Sequence, residues 1–237
     1  MSTTTTTADT DDSNTGNNRE AVGQPTVVLS KRMGVSIVLT DAANDESIKL
    51  ALLTGTGDYY TAGDDLNNIQ NALKQFDGDI YRATDEFVKR FRRFTAAFID
   101  FPKPLIAAVN GPAIGGAAIM VALVDCAIVS DSAYFLTPFS SLGLSAAGCA
   151  SYTFPQIMGQ SMAGQMLYFS HKMSATEALQ SGFVSRVIPS AQFDEYIENW
   201  IFADRTGIVN TCYPQSMRAS KQLVRSAAVR RDENKQK

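Results

Sequence analysis

The sequence predicts an α/β fold in which crossover helices cover the sheets and the last third of the chain is helical. Three observations carry this. Short apolar or β-branched runs bounded by turn residues alternate with longer segments of helical period. Two of those runs end in glycine-rich turns that lead into helices. No repeat is evident, and no apolar run is long enough to span a bilayer. The 237 residues, 45% of them hydrophobic, suffice for one sizeable core.

Taken in order, residues 1–24 are rich in Thr, Asn, Asp and Gly, offer too little apolar surface to offset the entropy of ordering, and read as a disordered tail. Thr26 to Ser30 is a short strand, Val35 to Ala43 a helix and Ile48 to Thr54 a second strand, closed by a turn at Gly55, Gly57 and Asp58. Residues 66–101 read as one helix. Phe87, Phe91, Phe94 and Phe98 recur on one face, and Lys89, Arg90, Arg92 and Arg93 lie mostly on the others. Those basic residues read either as a solvated face or as contacts to the phosphates of a nucleotide-bearing ligand. Pro102 and Pro104 end the helix.

Leu105 to Val109 is a buried strand, Asn110-Gly-Pro112 a turn and Ala113 to Val124 a small-residue helix. Ala127 to Ser130 and Tyr134 to Leu136 are strands, and Ser161 to Ser170 is helical. Ser174 and Glu177 form a capping box, and Gly182 closes the helix it opens. Phe183 to Ile188 is a strand. Helices near 190–203 and 215–230, split by Pro214, complete the chain. The organisation expected is thus a tail over 1–24, a core over 25–189 and a helical region over 190–237.

Composition excludes several classes of function. A net charge of -3 gives no overall field for nucleic acid. Three cysteines, Cys126, Cys149 and Cys212, are odd in number and lack CxxC spacing, which argues against a disulfide framework or a zinc site and for a reduced intracellular compartment. His171 is the only histidine, so a histidine-based triad or metal site would have to use it. The N-terminus has neither the charged start nor the apolar stretch of a signal peptide, and residues 1–18 contain no Arg, unlike a mitochondrial transit peptide. The chain ends Lys235-Gln-Lys237, which is not a peroxisomal signal. No strand-GxGxxG-helix unit or GxxxxGK[ST] motif occurs, which disfavours a Rossmann or P-loop nucleotide site.

The chemistry is expected at the two glycine turns, Leu52-Leu-Thr-Gly-Thr-Gly-Asp-Tyr-Tyr-Thr-Ala-Gly-Asp-Asp-Leu66 and Pro104-Leu-Ile-Ala-Ala-Val-Asn-Gly-Pro-Ala-Ile-Gly-Gly-Ala-Ala118. Each follows a buried strand and leads into a helix, leaving backbone N–H groups without intrahelical partners at a sheet edge. Two facing turns can aim two N–H donors at one oxygen, an oxyanion hole. Read alone, they are equally two tight strand-to-helix turns.

Both segments resemble the two signature loops of the crotonase superfamily, one of the form small-small-Gly-x-Asp-apolar and the other Asn-Gly-x-Ala-x-Gly-Gly. The resemblance extends over nearly all of residues 24–220. Within it, the stretch from Tyr134 to Pro155 is most similar to Δ3-Δ2-enoyl-CoA isomerases of the peroxisomal type, and also to chromodomain-Y-like proteins. It implies a spiral of ββα units with two nearly perpendicular sheets and a helical C-terminal region. It also implies an acyl-CoA thioester as substrate, no cofactor beyond the coenzyme A that substrate carries, and a homotrimer or hexamer. The compartment implied is the peroxisome or mitochondrion.

Carried over by position, the N–H groups of Ala62 and Gly116 would hold the thioester oxygen. Asp65 would brace its loop. Gly63, Asp64, Leu66, Gly115, Phe139 and Leu142 would line the substrate site. The relatives' catalytic acid falls at Ala147, and the paired glutamates of hydratases fall at Ile119 and Phe139, so all three acid positions are apolar. The implied function is therefore either isomerase chemistry without its usual acid or a catalytically silent acyl-CoA-binding or interaction protein. Other crotonase chemistry, such as CoA hydrolysis by an unrecognised acid, is a weaker third reading.

Of the candidates for a substitute, Asp64 and Asp65 flank the first turn and Cys149 reads as a small buried hydrophobe. His171 falls in a loop between helices. Tyr59 and Tyr60 either contact ligand or pack the strand end. Two further departures are expected to weaken the site. Ser30-Lys-Arg-Met-Gly34 replaces the long loop that helps hold CoA in relatives, and the C-terminal helices stop earlier than theirs.

Overall fold

A computed structural model describes residues 27–29, 35–63 and 74–233. The tail expected over 1–24 lies outside them. The larger sheet is five-stranded and parallel throughout, in the order β1 (Val27–Leu29), β2 (Ala51–Thr54), β3 (Leu105–Val109), β5 (Cys126–Ser130), β8 (Arg186–Ile188). The smaller sheet sets β6 (Tyr134–Leu136) between β4 (Ala113–Ile114), to which it is parallel, and β7 (Met173–Ser174), to which it is antiparallel.

Strand side chains alternate between faces, so one parallel sheet must be covered twice. On one face Ala51, Leu53, Leu105, Ala107, Val109, Ala127 and Val129 join the main core with Leu39 and Phe98. On the other, Leu50, Leu52, Ile106, Ala108 and Ile128 meet Phe193, Ile197 and Ile201 of a C-terminal helix. The register Ala107↔Ala127 sets two small residues side by side at the sheet centre.

The helices are α1 (Val35–Asn44), α2 (Ile80–Ile99), α3 (Gly116–Val121), α4 (Ala150–Phe169), α5 (Ala175–Gln180), α6 (Phe193–Phe202), the one-turn α7 (Ile208–Thr211) and α8 (Pro214–Glu233). The expected capping box holds: the Ser174 hydroxyl accepts from the Glu177 N–H while the Glu177 carboxylate accepts from the Ser174 N–H. Three expectations are corrected. The helix expected over 66–101 is broken near Asp77 and Gly78, both at positive φ, and α2 restarts at Asp79, whose carboxylate accepts from the N–H groups of Tyr81 and Arg82. The Ala113–Val124 helix is a two-residue strand, the Gly115 bend and then α3. The helix expected from Ser161 starts at Ala150; it tolerates Pro155 and bends where Gly159 leaves helical dihedrals. The strands expected from Ile48 and Phe183 are also shorter, beginning at Ala51 and Arg186.

The ends of the core are tied by buried cations. The Lys103 ammonium is fully buried and donates to the carbonyls of Ala42 and Asp45 at the end of α1. Burial, chiefly, holds it below the ordinary lysine range. Lys221 on α8 donates to the Lys103 carbonyl and to Asp125, while Arg225 donates to Asp125 and to the Ile99 carbonyl. Asp125 also accepts from the Leu105 N–H at 2.8 Å, so a single carboxylate joins α8 to the start of β3.

Candidate active site

The two glycine turns interlock through one side-chain amide and through main chain. Asn110, at the end of β3, reaches back to the first turn: its Oδ1 accepts from the Gly55 N–H at 2.9 Å and its Nδ2 donates to the Gly57 carbonyl at 2.8 Å. A methyl carbon on Gly111 would fall 2.0 Å from the Asp58 carbonyl oxygen, an approach only glycine permits. Thr61 then pairs in parallel with Ala113: the Thr61 N–H donates to the Pro112 carbonyl and the Ile114 N–H to the Thr61 carbonyl.

This pairing sets Gly63 beside Gly115, and each is next in sequence to one of the two expected donors, Ala62 and Gly116. A methyl carbon on Gly63 would lie 3.0 Å from the Ile114 carbonyl oxygen, and one on Gly115 4.0 Å from the Gly63 Cα. Gly115, at φ 63 and ψ −122, bends the chain from β4 into α3, and its N–H is held by the Leu136 carbonyl at 2.8 Å. Among the described residues, neither the Ala62 N–H nor the Gly116 N–H has a protein acceptor. Ala62 is exposed and Gly63, Gly115 and Gly116 are half-buried, so a ligand can reach this backbone.

The segment Phe139–Cys149 closes onto the same helix. Phe139 is buried and starts a short 3-10 turn that ends at Gly143. A methyl carbon on Gly148 would lie 2.8 Å from Ile119 Cγ2 and 3.0 Å from Phe91 Cε1; one on Gly116 would lie 3.8 Å from Phe91 Cε2. The Phe91 ring therefore touches both the Gly116 turn and the Gly148 turn. Ala147, next to Gly148, is half-buried and packs on the main core. Ile119 and Phe139, two of the residues expected to stand where relatives carry acids, are buried in the main core, and the third, Ala147, packs against it. Leu142 and Leu144 stand out from the 3-10 turn, each 59% exposed.

Asp64 and Leu66, with Asp65, lie outside the described residues. Cys149 corrects expectation: it is exposed rather than buried, and it takes a left-handed conformation (φ 67) at the start of α4. His171 sits in the loop before β7, its Nε2 3.1 Å from Glu177 Oε1. Ser174, first, and then His171 hold the Glu177 carboxyl below its ordinary range. Tyr60 is buried at the end of the first turn, and burial pushes its phenol well above the ordinary range; Tyr59 is exposed. On α2, Lys89 pairs with Asp85 at 2.7 Å and Arg93 with Glu86 at 3.4 Å, all exposed, which fits a solvated face. Among the described residues no group of His, Cys, Asp and Glu could hold a metal ion, and no helix is long and apolar enough to cross a membrane.

Phe91 and Asn110 are two site-building residues that motif reading did not single out. The phenylalanine period showed that Phe91 faces inward but not what it meets. For Asn110 the signal was the Asn-Gly-Pro turn itself, since such turns often employ the side-chain amide.

Over most of its length the chain is similar to known proteins. The model of the enoyl-CoA hydratase/isomerase family matches residues 32–203. The chain is 41% identical over 191 residues to enoyl-CoA delta isomerase 2 of Rattus norvegicus, covering 81% of this chain and 46% of that protein. It is 42% identical over 187 residues to the peroxisomal enoyl-CoA delta isomerase 3 of Mus musculus, covering 79% and 56%. It thus spans about half the length of these curated relatives. Among solved structures it is similar to an enoyl-CoA hydratase/isomerase of Pseudoalteromonas atlantica, with a TM-score of 0.65, 29% identity and coverage of 82% of this chain and 71% of that one.

Proposed function

The chain belongs to the enoyl-CoA hydratase/isomerase family, and from that membership we propose that it binds a fatty enoyl-CoA thioester and performs chemistry of the Δ3-Δ2-isomerase type. The observation that carries this is the Thr61–Ala113 pairing, which lays the Ala62 and Gly116 amides in adjoining turns with no protein acceptor among the described residues. In this reading both N–H groups donate to the thioester oxygen. When a proton leaves C2 the thioester becomes an enolate, and the two donors stabilise the charge that develops; one such donor is typically worth ~10²–10³ in rate. A single acid–base group takes the C2 proton and returns one to C4, which moves the double bond from C3–C4 to C2–C3; in this chain that carrier is solvent water. Gly63, Asp64, Leu66, Gly115, Phe139 and Leu142 line the substrate.

The wall where relatives place that acid holds Ala147, so the reaction runs without the ~10²–10⁴ that general acid–base catalysis contributes. The same observation favours a second reading, a homologue that binds acyl-CoA or a protein partner and turns nothing over. The proposal carries with it a homotrimer or hexamer, no cofactor apart from the substrate's coenzyme A, and a role in β-oxidation of unsaturated fatty acids. Its compartment is the peroxisome or mitochondrion, in line with the likeness to a peroxisomal isomerase.

The test is to incubate the protein with a 3-enoyl-CoA and follow formation of the conjugated 2-enoyl product, with acyl-CoA binding measured in parallel by calorimetry. Binding with slow turnover is expected. Turnover at ordinary enzyme rates rejects the silent reading, and no binding of any acyl-CoA rejects both acyl-CoA readings.

A further inference from the structure

We propose that Phe91 sets the length of apolar chain the site accepts, its ring standing as the end wall between the Gly116 turn and the Gly148 turn. The inference rests on the acyl-thioester reading above and deepens it. Phe91 is the ring of α2 placed at both turns, with Cε2 3.8 Å from a methyl built on Gly116 and Cε1 and Cζ 3.0 and 3.1 Å from one built on Gly148. It borders both the turn assigned to the thioester oxygen and the loop that carries Ala147. A chain extending from that oxygen past the acid position meets this ring.

The ring is also held in place. Phe87 stacks on it almost parallel, at 5.8 Å and 9°, and Phe94 lies on its other side at 6.1 Å and 26°. Phe98, fully buried, anchors the inner end of the row against Phe94 at 5.1 Å. A ring clamped along a row of rings on a capped helix yields less than a lone side chain, so it can act as a stop. The surface it presents is hydrocarbon, and the groups it meets at the turns are Ile119 and glycine backbone. The chemical class it recognises is therefore a straight or unsaturated acyl chain, and it discriminates by length rather than by hydrogen bonding.

The experiment titrates a series of saturated acyl-CoAs of increasing chain length into the wild type, Phe91→Ala and Phe91→Trp. Each methylene buried is worth about fourfold in affinity, so wild-type affinity should climb with length and then level off where the chain meets the ring. Phe91→Ala should move that plateau to longer chains, and Phe91→Trp should bring it to shorter ones. Short-chain affinity should be retained in both. If Phe91→Ala loses its melting transition, Phe91→Leu and Phe91→Trp carry the same comparison. An unchanged plateau in folded variants that still bind short acyl-CoAs overturns the wall while leaving the acyl-thioester reading intact. Failure of the wild type to bind any member of the series removes that reading and the wall with it.

Discussion

The two glycine turns and the Phe139–Cys149 segment meet at the same helix, α3, yet they are made of different material. The turns are built mostly of main chain, with Thr61 paired with Ala113 and glycine at the close approaches of Gly63 and Gly111, and with the Asn110 side chain as a staple to Gly55 and Gly57. In the proposed chemistry the segment has to offer a side chain, and at Ala147 it offers a methyl. The difference teaches that holding an oxyanion and moving a proton are specified separately. Backbone donors follow from strand pairing and from where glycine stands, so they persist through many side-chain changes. An acid is a single side chain, and one substitution removes it. Loss of catalysis on this scaffold therefore need not cost ligand binding.

The comparison can be sharpened most by restoring the missing group. Ala147→Glu should raise the rate of 3-enoyl-CoA isomerisation by ~10²–10⁴, measured as conjugated product formed per unit time. An unchanged rate in a folded, ligand-binding variant would show that the acid belongs elsewhere. Breaking the other half should undo the gain. In the Ala147→Glu background, Gly116→Pro deletes an N–H at the first residue of α3 and should lower the rate ~10²–10³-fold.

A third perturbation tests whether the wall is as closely packed as the turns. Gly148 sits at φ 61, with Ile119 Cγ2 2.8 Å from where a methyl would be placed. Gly148→Ala should destabilise the fold by about 1–3 kcal/mol in denaturant titration, whereas Gly143→Ala, also at positive φ but with open space around it, should cost less.

The smallest effect concerns a side-chain contact that is intact, the clamp of Lys221 on Asp125. Burial brings the Lys221 ammonium down to about 8, against an ordinary 10.5. Between those values the folded chain has released a proton that the unfolded chain still holds. Stability from this group should therefore rise with pH across that window, and Lys221→Met should flatten the rise in melts recorded at each pH.

The sheet was legible because its strands are written in local residues. Leu105 to Val109 and Tyr134 to Leu136 lie where the apolar runs put them, and both sheet faces are explained by alternation. Breaks inside helices were harder to see. The Phe87 to Phe98 period masked the interruption at Asp77-Gly78, since a helical stripe continues across one turn as readily as through it. The helix expected from Ser161 in fact starts at Ala150 and absorbs Pro155 ahead of the bend at Gly159. The first and second turns were legible as glycine patterns, but their interlock was not. It depends on Thr61 pairing with Ala113, 52 residues on, a contact no local pattern announces. Phe91 was legible as core and not as wall, for the same reason.

The central claim is that two amides from separate turns share one oxygen. A crystal structure with a saturated acyl-CoA bound tests it most directly. The account predicts the thioester oxygen within 2.7–3.1 Å of both the Ala62 and the Gly116 nitrogens, a typical oxyanion-hole separation. A thioester oxygen bound to other donors, with these two amides facing different cavities, would contradict it.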